Sequence, residues 1–203
     1  MQMSWIETID YASAGPALRK VYDRVKGADN YIDNVLKVHS LRPHTLSGHM
    51  ALYKNVLHHA DNQLPKWYLE AIGVYVSFMN QCEYCIHHHL TGFGRLYPDI
   101  AGTTELMHAI ETSTLDRFFD SRFYQGAQYA RSLTLDNQNI GHADFLSLRN
   151  AGFSDGEILE LNQVISYFNY VNRTVNGLGV NLDGDIPGLS PGSNDDPNNW
   201  HHE

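Results

Sequence analysis

Cysteine is almost missing from this 203-residue chain, which holds only Cys82 and Cys85. That scarcity excludes a disulfide-stapled scaffold, which needs several bridges, and any zinc site built from three or four thiolates of one subunit. Basic residues are also few. The 14 Lys and Arg against 23 Asp and Glu give a formal net charge of -9. The chain therefore lacks the basic footprint that sequence-independent nucleic-acid binding or an anionic membrane surface requires. Long hydrophobic runs are absent too. The most apolar stretch, around Ala71 to Met79, is far too short to span a bilayer. The first ten residues show no basic region followed by an apolar one, so no secretory signal is expected. Glycine never forms a phosphate-cradling loop between strand and helix. No flavin, haem or nucleotide cofactor is expected, and electrons for any redox step must come from outside. These exclusions leave a soluble, cytoplasmic, acidic protein with no nucleic-acid or membrane partner. In that compartment thiols stay reduced, so the cysteine pair cycles or binds metal and does not staple the fold.

What is present reads as helix nearly throughout, with 42% hydrophobic residues to build one core. Pro16 to Lys26 is amphipathic and closed by Gly27, and Pro43 to His59 forms a second helix. Pro65 opens a third helix running to about Met79, with Leu69, Ile72, Val76 and Met79 at helical spacing. The cysteine motif begins a fourth, ending near Gly92–Gly94. Thr104 to Glu111, Asp116 to Leu133 and His142 to Asn150 follow as further helices. Ser154-Asp-Gly-Glu157 is a capping box flanked by Phe153 and Ile158 as a hydrophobic staple. It opens a helix with Ile158, Leu161, Ile165 and Phe168 on one stripe, ending before Gly177 and Gly179. No run has the pattern of a sheet strand, which argues against a thioredoxin-like βαβ scaffold. The expected organisation is a single all-α domain over residues 1–182. A polar tail, rich in Gly, Pro, Asn and Asp, covers 183–203. It has too little apolar content to order itself, and is expected to be mobile or draped on a partner subunit.

Function concentrates in Cys82-Glu-Tyr-Cys85-Ile-His-His-His89. On one helix Cys82, Cys85 and His89 fall at i, i+3 and i+7 and share a face. Glu70 lies twelve residues before Cys82, roughly 18 Å away if the helix continues straight. If the chain breaks at Asn80-Gln81, an antiparallel helix pair brings Glu70 beside His89 and Cys85. That arrangement is a relay from carboxylate to imidazole to thiol. A free thiol has a pKa of about 8.5, and only the thiolate attacks a peroxide or disulfide at a useful rate. A bare carboxylate would repel that thiolate, so an intervening imidazole makes physical sense. The helix N-terminus favours the negative sulfur as well. Two cysteines three apart supply an attacking sulfur and a resolving one, which stops over-oxidation at the sulfenic acid. The competing reading is a zinc site of Cys82, Cys85, one of His87, His88 or His89, and Glu70 or another histidine. Spacing alone puts redox chemistry ahead of it and leaves both open.

The pattern Glu70-x11-Cys82-x2-Cys85-x3-His89 resembles the signature of the alkylhydroperoxidase D-like proteins in the carboxymuconolactone decarboxylase superfamily. The resemblance extends over roughly residues 1–180 in the form of the peroxidase-related subgroup. It is carried also by Val35-Leu-Lys-Val-His-Ser-Leu-Arg-Pro43, Tyr129-Ala-Arg-Ser-Leu-Thr134, Ala151-Gly-Phe-Ser-Asp155 and Phe168-Asn-Tyr-Val-Asn-Arg173. It implies an all-α fold, trimers or hexamers, and a peroxidase or disulfide-reductase activity on a hydroperoxide or disulfide. The electron donor it implies is an external dithiol, lipoyl- or thioredoxin-like. By position it makes Cys85 the peroxidatic sulfur, Cys82 the resolving one, and Glu70 with His89 the relay. The decarboxylase branch generally lacks the cysteine pair, so the resemblance favours the redox branch. Tyr84 is a departure, standing where the archetypal member has a relay histidine. A tyrosine donates a hydrogen bond but is a poor base near neutral pH. Asn169, Asn172 and Arg173 match a later family motif and read as structural or as a support behind the reacting residues.

Overall fold

The computed structural model describes residues 2–191 and 200–202, and among them the chain is all α-helix and loop. Ten helices follow in order: α1 Pro16–Val25, α2 Asn34–Lys37, α3 Pro43–Leu57, α4 Lys66–Met79, α5 Glu83–Leu96, α6 Gly102–Glu111, α7 Leu115–Phe118, α8 Ser121–Leu135, α9 His142–Asn150 and α10 Asp155–Leu178. The centre of the molecule is α4. It is buried on all sides, from Tyr68 through Val74 and again at Val76 and Ser77, as an apolar helix without a solvent face must be. Helices α3, α5, α8 and α10 pack around it. Its start is fixed from outside, because the Glu160 carboxylate of α10 accepts from the amides of Gln63 and Leu64 at 2.9–3.0 Å.

Local sequence signals explain most boundaries. Ser154 and Glu157 form the expected reciprocal capping box, and both staple residues, Phe153 and Ile158, are buried. The helix it opens runs through Gly177 to Leu178, slightly beyond its expected end. It stops at Gly179, whose φ of +62° supplies the left-handed cap. The single helix expected over Asp116 to Leu133 is two, α7 and α8. Phe119 leaves the helical conformation to bury its ring against Trp67 and Tyr68, and Asp120 then caps α8 by accepting from the Phe123 amide at 2.9 Å. The four-residue α2 has too little pattern to be seen in sequence.

The polar tail also differs from expectation in its described residues, 183–191 and 200–202; residues 192–199 lie outside them. It folds back on its own domain. Asp185 accepts hydrogen bonds from the hydroxyls of Tyr31 (2.6 Å) and Tyr84 (2.5 Å) and from the Asn34 amide (3.0 Å). The Gly188 carbonyl accepts from Arg95 at 2.5 Å, and the Arg24 guanidinium lies 3.6 Å from the centroid of the buried Trp200 ring. Pro191 and His202 form an isolated antiparallel bridge. Polar contacts supply the order that apolar content does not.

Close packing between α4 and α10 depends on Gly73. A Cβ at that position would lie 2.2 Å from the ring of Phe168, itself wholly buried. Gly73→Ala gains about 1 kcal/mol of helix propensity. Because Phe168 has nowhere to move, overpacking of about 1–3 kcal/mol or more outweighs that gain. The variant is expected to unfold at lower urea concentration than the parent. An unchanged or higher midpoint would show that the two helices separate freely.

Candidate active site

The reversal between α4 and α5 is built from three residues. Asn80 ends α4, Gln81 turns the chain at φ +55°, and Cys82 caps α5 while its amide donates to the Ser77 carbonyl at 2.9 Å. Helix α10 holds the turn. Asn80 Nδ2 donates to Oδ1 of Asn169 and of Asn172 at 3.1 and 3.0 Å, and Asn176 donates to the Asn80 carbonyl at 3.0 Å. The antiparallel pair therefore places Glu70 against His89, with Glu70 Oε2 2.7 Å from His89 Nδ1. Gly92 leaves room for this carboxylate, because a Cβ there would stand 3.3 Å from Glu70 Cδ.

His89 is locked further by the rings of Phe168 and Tyr53, which meet it edge-on at centroid distances of 4.5 and 6.3 Å. With Nδ1 committed to the carboxylate, Nε2 is the nitrogen left to exchange a proton.

Both thiols are free and buried, Cys82 at 0% and Cys85 at 3% exposure. Only Cys85 lines the cavity of about 40 Å3 that also exposes Glu70 and His89. Their electrostatics differ. The Cys82 thiol is held below its ordinary value by a hydrogen bond from the Cys85 side chain, against the cost of burial and helped by the Cys85 amide and Asn172. Cys85 is pushed well up by that same bond to Cys82 and by burial. The first negative charge of the pair thus belongs to the sulfur beneath the cavity. The sulfur facing the cavity keeps its proton and needs a base. Asn172, read from sequence as structural or as a support behind the reacting residues, lies within hydrogen-bond reach of both sulfurs while donating to Ser77 Oγ at 3.0 Å.

Tyr84 lines the cavity but its hydroxyl is engaged elsewhere. It donates to Asp185 and accepts from the Val35 amide at 3.1 Å, and its ring stacks on His88 at 4.4 Å. Burial and Asp185 push its pKa well up, so it is a fixed neutral phenol. The remaining wall combines aromatic and aliphatic side chains with Asp33, His49, His88 and His202. Tyr53 and Tyr167 stack at 5.4 Å with their phenols pushed well up by burial, and burial brings His49 down to about 3. The tail closes the cavity with Gly188, Leu189, Ser190 and His202. Among the described residues no three His, Cys, Asp or Glu side chains are grouped to hold a metal ion, and no helix is long and apolar enough to cross a membrane.

Solved structures share this arrangement of helices. One is the alkylhydroperoxidase core of an uncharacterised peroxidase-related protein from Ralstonia eutropha JMP134. It matches at a TM-score of 0.75 and 20% identity, over 92% of this chain and 99% of that one. The fold is the alkylhydroperoxidase D fold. An uncharacterised peroxidase-related protein from Silicibacter sp. TM1040 matches at 0.72 and 23% identity, over 93% of each chain. The debrominase Bmp8 matches at 0.69 and 18% identity, over 89% of this chain and 91% of that one. No protein-family model and no curated protein matches the sequence. On this alkylhydroperoxidase D scaffold Glu70, Cys85 and His89 line one cavity, and Cys82 lies within hydrogen-bond reach of Cys85. The motif gave no sign of Asp33, Asp185, His49 or His202; Asp33 lies just before α2, His49 on α3, and Asp185 and His202 in the tail. The histidine count of 12 was the only hint.

Asp185 is the keystone of that tail. Burial opposes its charge, but hydrogen bonds from His88, Tyr31 and Tyr84 prevail and hold its carboxyl below the usual value. Such a group stabilises the fold above its unfolded pKa, about 3.9, and the contribution is lost as pH falls through the lower folded value. Asp185→Ala is expected to lose about 2–3 kcal/mol near neutral pH, consistent with charged hydrogen bonds left unmade. The gap between parent and variant should close below about pH 4. Urea titrations at pH 7 and 3.5 check this; a gap that persists undiminished in acid would assign the loss to packing.

Proposed function

We propose that this protein is a thiol peroxidase that reduces hydrogen peroxide or an organic hydroperoxide through Cys82 and Cys85, with Glu70 and His89 as proton relay. The observation that carries the reading is one shared cavity. It presents a protonated Cys85 beside a carboxylate-bound imidazole, with a second reduced thiol directly beneath. His89 takes the Cys85 proton and Glu70 stabilises the imidazolium. The Cys85 thiolate attacks the terminal peroxide oxygen, the O–O bond breaks, and a sulfenic acid forms on Cys85. Cys82 then displaces water from it, closing the disulfide. In this reading Cys82, whose charge the Cys85 amide and Asn172 favour, is the resolving nucleophile. Asn172 steadies the charge as it passes between the sulfurs.

The cavity favours a small oxidant. About 40 Å3 holds roughly three water-sized spheres, which suits hydrogen peroxide or the head of a hydroperoxide. A debrominase of this fold has been solved with 2,3,4-tribromopyrrole, but a ring of that size does not fit here while the tail is in place. In this reading the disulfide is reopened by an external dithiol of lipoyl or thioredoxin type. The working form is a homo-oligomer, trimer or hexamer, as the family resemblance implies.

Intact mass of the reduced protein, before and after one equivalent of hydroperoxide without oxygen, tests the reading. The expected result is loss of two hydrogens in the parent, a trapped sulfenic acid in Cys82→Ser, and no reaction in Cys85→Ser. Glu70→Gln and His89→Asn should slow oxidation about 100-fold or more, the usual contribution of a positioned proton acceptor. Unchanged mass in the parent, with stoichiometric zinc bound, would replace the reading with a structural metal site.

A further inference from the structure

The cavity contains a second carboxylate–imidazole pair that the cysteine motif does not supply. His202, the last described residue, places Nδ1 on Asp33 Oδ2. Its side chain is only 4% exposed, its Nε2 has no hydrogen-bond partner among the described residues, and it lines the same cavity as Cys85 and His89. Asp33 Oδ1, on the same cavity wall, is likewise without a partner among the described residues. Two imidazoles from different parts of the chain therefore line the cavity that Cys85 also lines. Tyr53 stands between them, with its ring 6.3 Å from His89 and 6.2 Å from His202, edge-on to both. The nearby His49 and His58 do not compete as acids, because burial keeps both imidazoles neutral.

We propose that Asp33 and His202 form the acid half of the reaction, with His202 Nε2–H protonating the oxygen that leaves the peroxide. This inference rests on the peroxidase reading above. Peroxide reduction needs two proton movements at opposite ends of one small molecule. The thiol must lose a proton, and the departing alkoxide or hydroxide must gain one. A single imidazole bound to the sulfur side cannot serve both within one transition state unless the proton crosses the substrate. With two pairs the balance closes locally. His89 removes the Cys85 proton, sulfur is oxidised by two electrons as it bonds to the terminal OH, the O–O bond breaks, and His202 gives its Nε2 proton to the leaving oxygen. The products are sulfenic acid and alcohol or water, and solvent restores both imidazoles before the next turn. Asp33 fixes the ring so that Nε2 points inward and stabilises the positive form, as a carboxylate does for a catalytic histidine.

Leaving-group dependence separates this role from a structural one. Hydrogen peroxide expels hydroxide, which needs the proton. Peroxyacetic acid expels acetate, which does not. Stopped-flow oxidation of the reduced full chain is measured with both oxidants. His202→Gln should slow the hydrogen peroxide reaction about 100-fold and leave the peroxyacetic acid reaction nearly unchanged. Asp33→Asn should show the same selectivity at smaller amplitude, and it carries the test if His202→Gln does not fold. Trp200→Ala loosens the same tail without removing the imidazole, and should affect both oxidants alike. Equal slowing of both oxidants by His202→Gln overturns the proposal, as does selective slowing by Trp200→Ala, since either makes His202 an anchor only. A parent that reacts with neither oxidant removes the peroxidase reading and this proposal with it. A parent that reacts with both while His202→Gln matches it removes this proposal alone.

Discussion

The structure depends on the buried pairing of Glu70 with His89. A carboxylate inside an all-round buried helix is unfavourable unless a partner meets it with good geometry. The partner here is on the neighbouring helix at 2.7 Å. That requirement fixes the antiparallel register of α4 and α5, forces the turn at Asn80-Gln81, and keeps position 92 as glycine. The same register puts the cysteines at the first turn of α5, the end where backbone amides favour negative sulfur. Fold and chemistry thus share one constraint. A shift of one helical residue along α5 would separate the carboxylate from the imidazole and leave both buried polar groups without that partner.

The second theme is the distribution of charge between the sulfurs. Cys82 lies deeper, yet it is the thiol more easily ionised, because the Cys85 thiol, the Cys85 amide and Asn172 all point at it. Cys85 faces the cavity and holds its proton. In the proposed reaction this division is what gives His89 and Glu70 a proton to move. If the cavity-facing thiol were already ionised, a buried acid–base pair beside it would contribute nothing to attack.

Much of this was legible from the residues. Glu70, Cys82, Cys85 and His89 are linked by fixed spacing, and a helix hairpin is the only simple way to unite them. The capping box at Ser154 and the helix-opening prolines were readable because they act within four residues. The α7–α8 break was not, since Phe119 leaves the helix for contacts with Trp67 and Tyr68 about fifty residues away. The tail was misread for a related reason. Its composition describes apolar burial, and it is held instead by Asp185 beneath three hydrogen-bond donors and by His202 on Asp33. Such polar contacts are specified by the receiving surface, and a composition argument confined to the segment cannot see them. Tyr84 shows the same effect at one position. Its place in the motif suggested a relay, while its hydroxyl is claimed by Asp185, a residue 101 positions later.

The closure of the cavity has a consequence for how a redox cycle runs on this scaffold. In the proposed cycle, Cys85 at 3% exposure meets a small oxidant through the cavity, while a dithiol carried on a protein needs more room. Oxidation and reduction then need two different degrees of access. The described tail is held by polar contacts around Asp185, Gly188 and His202 and by the buried Trp200 ring beneath Arg24. Segments bound in this way open locally at a small fraction of the cost of global unfolding. Helices α4, α5 and α10, whose apolar residues form the core, need not move. In the proposed reaction the helices position the sulfurs, and Gly188, Leu189, Ser190 and His202 of the tail complete the cavity that Cys85 lines.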